Sequence, residues 1–312
     1  MADAATAFAP ASIGNLGVGF DMLGLALEGV GDRVTVRRSA TPGVTVAEVR
    51  GLDGEQHPYL STDASQNTAS IAARSLWEAA GDGGIEIVVH KGVPLQSGMG
   101  SSAASAVAAV VAANALLPQP RSPEQLLMHA IDGERFASGG LHADNVAPSL
   151  FGGLVLCPAA LLPRALRIDP PTGVSAVLLH PELQVDTAKS RRALGRSITR
   201  ELWLEQQGCL AGFIAACYRN DVPLMRATLR DVVIEPQRAA SVACFDAVRN
   251  AAERGGAIGC SLSGSGPSIF ALGESQHAAN LAASMAQACR GLGIECQTWV
   301  SSLNAPGAFV EN

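Results

Sequence analysis

The stretch at residues 94–105, PLQSGMGSSAAS, carries the clearest chemistry in the chain. Gly98 and Gly100 allow a tight turn and a close approach of the backbone to a ligand. Ser101 and Ser102 stand where an alanine-rich helix is predicted to begin, so one hydroxyl can cap it. The unpaired N–H groups of a first helical turn attract anions. The stretch therefore predicts a phosphate-binding loop, with an ordinary capped turn as the alternative.

Two other nucleotide-binding motifs fit this loop poorly. A Walker loop requires a lysine directly after its last glycine, and Ser101 stands there instead. Residues 98–103 match the glycine spacing of a dinucleotide-binding loop, which also requires an acid about 20 residues later at a strand end. The next acid is Glu124, in a predicted helix start behind two prolines. Both motifs are therefore disfavoured.

Polar residues that could act together with the loop occur in two other places. Asn15 and Asp21 lie in a glycine-rich segment near the start of the chain, where an Asx turn is the alternative. His142, Asp144 and Asn145 fall within four residues among apolar neighbours. This second group is compatible with a metal site, but a hydrogen-bonded loop is the more common explanation.

The predicted elements place the phosphate loop between a strand at 85–89 and a helix at 101–116. The helix is so rich in alanine that it must pack closely against its neighbours. Upstream, residues 22–27 and 32–38 predict two strands around a turn at Gly29–Gly31.

The second half of the chain predicts the order β-α-α-β-β-α-β, with polar loops at 186–192 and 231–238. Four prolines at 158–171 suggest a boundary, which gives domains at 1–158 and 159–312. The sequence therefore predicts an α+β protein with two domains, the second a split α/β sandwich.

Composition excludes several classes of protein. The net charge of -6 argues against a general nucleic-acid binder. The seven cysteines show no C-x-x-C pair and no zinc spacing, which is typical of reduced thiols in the cytosol. The first residues lack a basic, apolar leader, and the longest apolar run, 103–117, is interrupted by Ser105 and Asn114 and is shorter than about 18 residues. We therefore expect a cytoplasmic protein without a membrane partner.

The loop at 94–105 resembles the P-x-x-x-G-[LM]-G-S-S-A signature of the GHMP kinases. Residues 9–21, APASIGNLGVGFD, resemble the N-terminal motif of the branch that phosphorylates the amino acid homoserine, and residues 261–267, SLSGSGP, resemble the family's third motif. The three motifs occur in the family's order and span nearly the whole chain. The resemblance implies an N-terminal domain like ribosomal protein S5 domain 2, a ferredoxin-like C-terminal domain and a homodimer.

At the nucleotide end, the resemblance implies ATP and Mg²⁺. Ser102 and Glu134 would hold Mg²⁺, which prefers oxygen ligands. Asn67 and Lys91 would lie near the adenine or ribose. The full set implied for the nucleotide is Asn67, Lys91, Pro94, Gly98, Met99, Gly100, Ser101, Ser102, Gly264, Ser265 and Gly266.

At the acceptor end, the resemblance implies L-homoserine, phosphorylated to O-phospho-L-homoserine for threonine biosynthesis. The guanidinium forks of Arg191 and Arg238 can clamp a carboxylate, and Asp21 can pair with an ammonium. The implied catalytic residues are Asp21, His142 and Arg191. The residues implied for substrate binding are Asn15, Asp21, His142, Asn145, Thr187, Arg191 and Arg238.

Two other functions stay open at this point. One is a GHMP kinase for another small alcohol, of the mevalonate type, although the acidic base of those enzymes has no clear counterpart here. The other is a protein of this fold that binds a ligand without catalysis, which the intact Ser102 and Glu134 oppose. No general base is evident, and Asp21 and His142 are both candidates.

Overall fold

The structure is a computed structural model that describes residues 2–195 and 197–311. Its strands are β1 (Ala4–Gly14), β2 (Leu23–Ser39), β3 (Gly43–Arg50), β4 (Gly84–His90), β5 (Leu154–Leu156), β6 (Leu166–Ile168), β7 (Val174–Pro181), β8 (Gly259–Leu262), β9 (Ile269–Glu274), β10 (Cys296–Ser302) and β11 (Phe309–Val310). Its helices are α1 (Thr68–Ala80), α2 (Ser101–Ala115), α3 (Pro123–Ser138), α4 (Val146–Phe151), α5 (Thr187–Arg192), α6 (Arg200–Arg219), α7 (Val222–Thr228), α8 (Glu235–Arg238), α9 (Phe245–Arg254) and α10 (Ala278–Arg290). This mixture confirms the predicted α+β class.

The first sheet has seven strands, in the order β11-β1-β2-β4-β3 with β5 and β6 added beside β2. The predicted turn at Gly29–Gly31 is wrong, because β2 is one strand of 17 residues. Its register against β1 shifts from Pro10 opposite Gly31 to Ser12 opposite Ala26. The glycine-containing segment therefore bulges out of the strand and does not reverse it.

Helices α1, α2 and α3 pack against one another, and the alanine-rich α2 also packs on β1 and β2. Most side chains of α2 are fully buried, as in Ala106, Ala109 and Ala113. Because these side chains are small, neighbouring helices and strands can approach closely on every side. The predicted close packing is confirmed, and it fixes the start of α2 against the sheet.

The second sheet is antiparallel, in the order β10-β7-β9-β8. Its central strand β7 is buried on both faces. Val177 and Leu179 pack with α9 and α10, whereas Leu178 joins a core that contains Phe213 of α6 and Leu25 of the first sheet. This shared core connects the two halves of the chain.

The order predicted for the second half is right for β7, β8, β9, α10 and β10 but omits other elements. Three helices, α6, α7 and α9, lie between β7 and β8 where two are predicted, and β6 and β11 are not predicted. Both polar loops also contain a helix. α5 begins after Asp186, whose side chain accepts a hydrogen bond from the Lys189 N–H at 2.8 Å. α8 follows Asp231, whose carboxylate accepts the Glu235 N–H at 3.0 Å. In both places an aspartate accepts hydrogen bonds from the first N–H groups of a short helix. The polar composition of these segments predicts loops and gives no sign of the helices.

The chain does not divide simply at residue 158. β6 and β11 both join the first sheet, although they follow the predicted boundary. The division into 1–158 and 159–312 stays a prediction. No helix in the described part of the chain has the length and apolarity needed to cross a membrane.

Two glycines of α6 provide a test of this packing. A Cβ at Gly208 would meet no atom within 4 Å, whereas a Cβ at Gly212 would collide with Thr228 of α7. We expect Gly208→Ala to raise the free energy of unfolding by about 0.5–1 kcal/mol, because alanine loses less entropy than glycine in a helix. Gly212→Ala should lower it. Urea denaturation checks both, and an equal effect of the two variants would contradict the packing of α6 on α7.

Candidate active site

The phosphate-loop candidate ends at the N-terminus of α2. Gly98 and Gly100 adopt left-handed φ values of 75° and 68°, and Gly100 precedes the helix without a side-chain cap. The prediction that a serine caps this helix is wrong. Ser101 donates its hydroxyl to the Val93 carbonyl at 2.9 Å, and Ser102 donates to Glu134 at 2.6 Å. The N–H groups of the first turn therefore face the cleft without a capping oxygen, as an anion site requires.

Both loop glycines are required by close neighbours as well as by conformation. A Cβ at Gly98 would lie 2.7 Å from the Gly266 carbonyl oxygen, and a Cβ at Gly100 would lie 2.9 Å from the side-chain oxygen of Asn145. Real Cβ contacts are longer than this. The loop is therefore fitted against the second glycine-rich loop and against the start of α4.

The second glycine-rich loop, between β8 and β9, is joined to the phosphate loop by two hydrogen bonds and to the end of β1 by a third. Ser263 donates its hydroxyl to the Gly98 carbonyl at 2.6 Å. The Ser268 N–H donates to the Ser97 carbonyl at 3.1 Å, and the Gly264 N–H donates to the Gly14 carbonyl at 3.1 Å. These bonds close the cleft from the second half of the chain.

The resulting cleft has a volume of about 350 Å³, which is ordinary for a small-molecule site. Residues from both halves of the chain line it, and most of those implied by the family resemblance are among them. The predicted residues that line it are Asn15, Asp21, Gly98, Gly100, Ser101, Ser102, Glu134, His142, Asn145, Thr187, Arg191, Arg238, Gly264 and Ser265.

Five predicted nucleotide residues do not line this cleft: Asn67, Lys91, Pro94, Met99 and Gly266. Asn67 caps α1, accepting the Ala69 N–H at 3.0 Å and donating to the Ser61 carbonyl at 2.9 Å. Met99 is fully buried in the core between the two sheets. Its side chain supports the loop from behind and cannot reach a nucleotide in the cleft.

Lys91 also points inward, because its ammonium is paired with the buried carboxylate of Asp32. The ammonium donates further to the Ser101 carbonyl and the Ser105 hydroxyl, both at 2.8 Å. The other oxygen of Asp32 accepts the N–H groups of Gly92 and Val93. The Lys91–Asp32 pair therefore holds the chain on both sides of the phosphate loop, and the ammonium does not point towards a nucleotide in the cleft.

At the opposite end of the cleft, Asp21 and Arg191 form a two-pronged ion pair with N–O distances of 2.9 and 2.7 Å. His142 Nδ1 lies 3.5 Å from the same carboxylate. Burial lowers the pKa of His142, so the imidazole is neutral around pH 7. Asn15 orders this corner, since its side-chain oxygen accepts the Asp21 N–H at 3.1 Å.

Arg238 approaches the same corner from α8. It is 4% exposed and donates one N–H to the Gly264 carbonyl at 2.8 Å. Its Nε–H is buried and has no hydrogen-bond partner among residues 2–195 and 197–311. A buried guanidinium with a spare donor is suited to an anionic ligand.

Asp144 is a site residue that the sequence prediction missed. It lines the cleft, is 3% exposed and accepts the Asn15 N–H at 3.2 Å. The sequence did show it between His142 and Asn145, but the pattern suggested a metal site or a loop network. Its place in the cleft depends on Gly24 of β2, where a Cβ would collide with the Asp144 carbonyl.

Two carboxyl groups of the cleft have strongly raised pKa values. Burial raises the pKa of Glu134 to about 7, against the opposing hydrogen bond from Ser102. Burial, helped by the negative charge of Asp21, raises the pKa of Asp144 to about 7. Such shifts cluster at functional sites, because a group that is costly in the free protein can be stabilised by a ligand.

Comparison with known proteins identifies the family. Residues 67–153 match the GHMP kinases N terminal domain, and residues 213–291 match the GHMP kinases C terminal domain. The chain is 46% identical over 306 residues to a homoserine kinase of Xanthomonas campestris pv. campestris (strain B100), covering 97% of this chain and 93% of that one. A homoserine kinase of Xylella fastidiosa (strain M12) is 45% identical with the same coverage. The chain belongs to the homoserine kinase family.

A solved structure confirms the fold predicted from this family. The crystal structure of a homoserine kinase from Cytophaga hutchinsonii is 40% identical, with a TM-score of 0.94 over 100% of this chain and 98% of that chain. The predicted GHMP kinase fold with its N-terminal and C-terminal domains is therefore confirmed. Membership of this kinase family implies the use of ATP.

The inward position of Lys91 predicts a structural effect of its removal. Lys91→Met leaves the Asp32 carboxylate buried without its cation, so we expect the free energy of unfolding to fall by about 3 kcal/mol or more. The double variant Lys91→Met, Asp32→Asn removes both charges and should recover most of this loss. Urea denaturation followed by circular dichroism checks the pair.

Kinetics on the same double variant separate this role from nucleotide binding. Because the ammonium is internal, we expect the KM for ATP to stay within about twofold of the unmodified kinase. A rise of about tenfold with stability restored would mean that Lys91 contacts the nucleotide after all.

The raised pKa of Glu134 predicts a pH-dependent gain in stability for Glu134→Gln. Above pH 7 the unmodified protein carries a buried carboxylate, whereas well below pH 4.5 the group is neutral in both folded and unfolded chains. Its stabilising contribution is thus lost as the pH rises from 4.5 to 7. At about pH 8 we expect Glu134→Gln to be more stable by about 1–3 kcal/mol.

Thermal and urea denaturation at about pH 5 and 8 measure this difference. Glu78→Gln, on an exposed position of α1, is the matched control and should show none. A gain for Glu134→Gln that is equal at both pH values would exclude titration of Glu134 as its cause.

Proposed function

We propose that this chain transfers the γ-phosphoryl group of ATP to the hydroxyl of L-homoserine, giving O-phospho-L-homoserine for threonine biosynthesis. One observation carries the proposal. A single cleft joins an uncapped helix N-terminus to a corner where two arginines and two aspartates are complementary to an amino acid. The residues suited to phosphate and the residues suited to an amino acid therefore line the same cleft.

At the nucleotide end, the first turn of α2 and the glycine-rich loops receive the phosphates. The N–H groups of Ser101 and Ser102, with the positive end of the helix dipole, bind phosphate oxygens. Gly264 and Ser265 approach from the second half and cover the same space. The Thr187 hydroxyl lies 3.1 Å from the Ser265 hydroxyl, so α5 and this loop are placed together.

Ser102 and Glu134 fit Mg²⁺, since both offer oxygen ligands and lie beside the phosphate site. Burial disfavours the charged form of Glu134, and a bound cation would favour it. When bound, Mg²⁺ held by Ser102 and Glu134 would neutralise charge on the phosphates, and phosphates and water would complete its ligands. Within the part of the chain that the structure describes, no three His, Cys, Asp or Glu residues are grouped to hold a metal.

At the acceptor end, homoserine presents a carboxylate, an ammonium and a primary hydroxyl. Arg238 has a spare buried donor, and Arg191 can turn its fork from Asp21 to the carboxylate. Asp21 is already bound by Arg191, so we assign the ammonium to Asp144 as well as to Asp21. The neighbouring side chains that orient the substrate by hydrogen bonds are Asn15, His142, Asn145 and Thr187.

The reaction forms a bond from the substrate oxygen to the γ-phosphorus and breaks the bond from that phosphorus to ADP. Its rate depends mainly on position and charge stabilisation. The hydroxyl proton passes to the transferred phosphoryl group, either directly or through Asp21 or His142. In this scheme Asp21, His142 and Arg191 are the catalytic side chains nearest the acceptor.

The aspartates favour homoserine over the acceptors of related kinases. Mevalonate carries a carboxylate and hydroxyls but no ammonium, and galactose carries no charge. Neither molecule would stabilise the buried carboxylate of Asp144, whose pKa is raised to about 7. An ammonium would do so by a charge-assisted hydrogen bond.

A substrate panel tests the proposed function. We expect turnover with homoserine and Mg-ATP, measured by coupled ADP release, and much slower turnover with mevalonate, galactose or shikimate. Rapid phosphorylation of one of these three would refute the substrate assignment. Absence of turnover with all four would favour a protein that binds ligand without catalysis.

Asp144→Asn tests the assignment of the ammonium. We expect the KM for homoserine to rise by about 10–100-fold, because a hydrogen bond between charged groups is lost. With 4-hydroxybutanoate, which is homoserine without its ammonium, the variant and the unmodified kinase should be equal. Assays at about pH 8 keep Asp144 charged. An equal loss on both substrates would instead indicate a structural role.

Two further features complete the proposal. The family resemblance implies a homodimer, which light scattering on the purified chain would check. The seven cysteines are buried free thiols, as expected for a reducing compartment such as the cytoplasm.

A further inference from the structure

Phe20 lies against both arginines of the acceptor corner. The guanidinium carbons of Arg191 and Arg238 are each 5.3 Å from the centroid of its ring. This distance lies within the range of cation–π attraction, which extends to about 6 Å. Arg191 belongs to α5 and Arg238 to α8, so one ring connects two helices of the second half with a loop of the first.

The two like charges beside this ring are balanced differently. Arg191 has the carboxylate of Asp21 as its partner. Arg238 donates to a carbonyl, and its Nε–H has no partner in the described residues. Burial, followed by the charge of Arg191, lowers the pKa of Arg238. The negative face of the Phe20 ring therefore supplies attraction at the place where the arginines repel each other.

The backbone around Phe20 fixes the direction of its ring. The Gly19 N–H donates to the Asn15 carbonyl at 2.9 Å, and the N–H groups of Met22 and Leu23 donate to the Gly19 carbonyl at 2.8 and 2.9 Å. Asp21 adopts a left-handed φ of 57°. This tight turn presents the ring of Phe20 and the carboxylate of Asp21 to the arginines together.

We propose that Phe20 is a positioning residue that sets the specificity for an acceptor with a carboxylate, because its ring holds Arg191 and Arg238 at a fixed separation. The inference rests on the proposed function, in which both arginines bind that carboxylate. Phe20 is not among the residues that line the cleft, whereas both arginines are, so the role proposed for Phe20 acts through the arginines.

Phe20→Leu tests the proposal, because it keeps an apolar side chain but removes the aromatic face. We expect the KM for homoserine to rise roughly tenfold while the KM for ATP changes by less than about twofold. The preference for homoserine over 3-aminopropan-1-ol, which is homoserine without its carboxyl group, should fall by the same factor. Phe20→Tyr keeps the aromatic face and should restore the values of the unmodified kinase.

Phe8→Leu is the matched control. The guanidinium carbon of Arg33 lies 5.1 Å from the Phe8 ring centroid, and neither residue lines the cleft. This variant loses the same kind of contact and should leave all three kinetic values unchanged. Thermal denaturation of every variant shows whether it is folded. Should Phe20→Leu not fold, Phe20→Met takes its place.

The outcomes separate the two proposals. If the unmodified kinase does not phosphorylate homoserine, the proposed function fails whatever Phe20 does. If it does, but Phe20→Leu leaves the preference over 3-aminopropan-1-ol unchanged, only the role of Phe20 is refuted. An equal loss for both acceptors and for ATP, without rescue by tyrosine, would also refute it, because it would indicate general disruption.

Discussion

The close contact between two glycine-rich loops is the constraint on which the cleft depends. Gly98 lies so near the Gly266 carbonyl that no side chain fits between the loops, and the Ser263 hydroxyl holds the Gly98 carbonyl at 2.6 Å. One loop precedes α2 in the first half, and the other joins β8 to β9 in the second. The phosphate end and the acceptor end are therefore fixed by the same contact, since the acceptor arginines belong to the second half. A change in the angle between the halves would disturb both ends at once.

The charged groups of the cleft suit the binding of ligands better than they stabilise the free protein. Asp21 and Arg191 neutralise each other, whereas burial raises the pKa values of Glu134 and Asp144. Such carboxyl groups destabilise the free protein when they are charged, and cations relieve this cost. A metal ion near one and an ammonium near the other would act in the same way at opposite ends of the cleft. In the proposed function, binding of the acceptor would be an exchange of partners, because the Asp21–Arg191 pair would open to admit a carboxylate.

The sequence predicts the phosphate loop, the buried α2 and most of the cleft, because these depend on local residue types and on motifs. It does not predict the direction in which a side chain points. Lys91 stands next to a nucleotide motif, but its partner Asp32 is 59 residues away, and only the pairing of β2 with β4 brings them together. The sequence shows Asp144 as a polar residue in a loop. Its place in the cleft depends on Gly24 in β2, because any side chain there would collide with the Asp144 carbonyl. The sequence predicts a turn at Gly29–Gly31, where the structure has a bulge in β2. Glycines favour both structures, and only the register of β2 against β1 distinguishes them.

The pairing of β11 with β1 has a consequence for the order of folding. Ala7 and Phe8 lie opposite Val310 and Phe309 in one sheet, so the edge of the first sheet is completed by residues that follow β10 in the second half. Closing so long a loop is slow compared with forming local contacts. During synthesis, the first half emerges with the outer edge of β1 unpaired, and such an edge can recruit another strand. The outer edge of β1 is thus exposed until Phe309 and Val310 pair with it, so its risk of wrong pairing belongs to the folding chain and not to the folded enzyme.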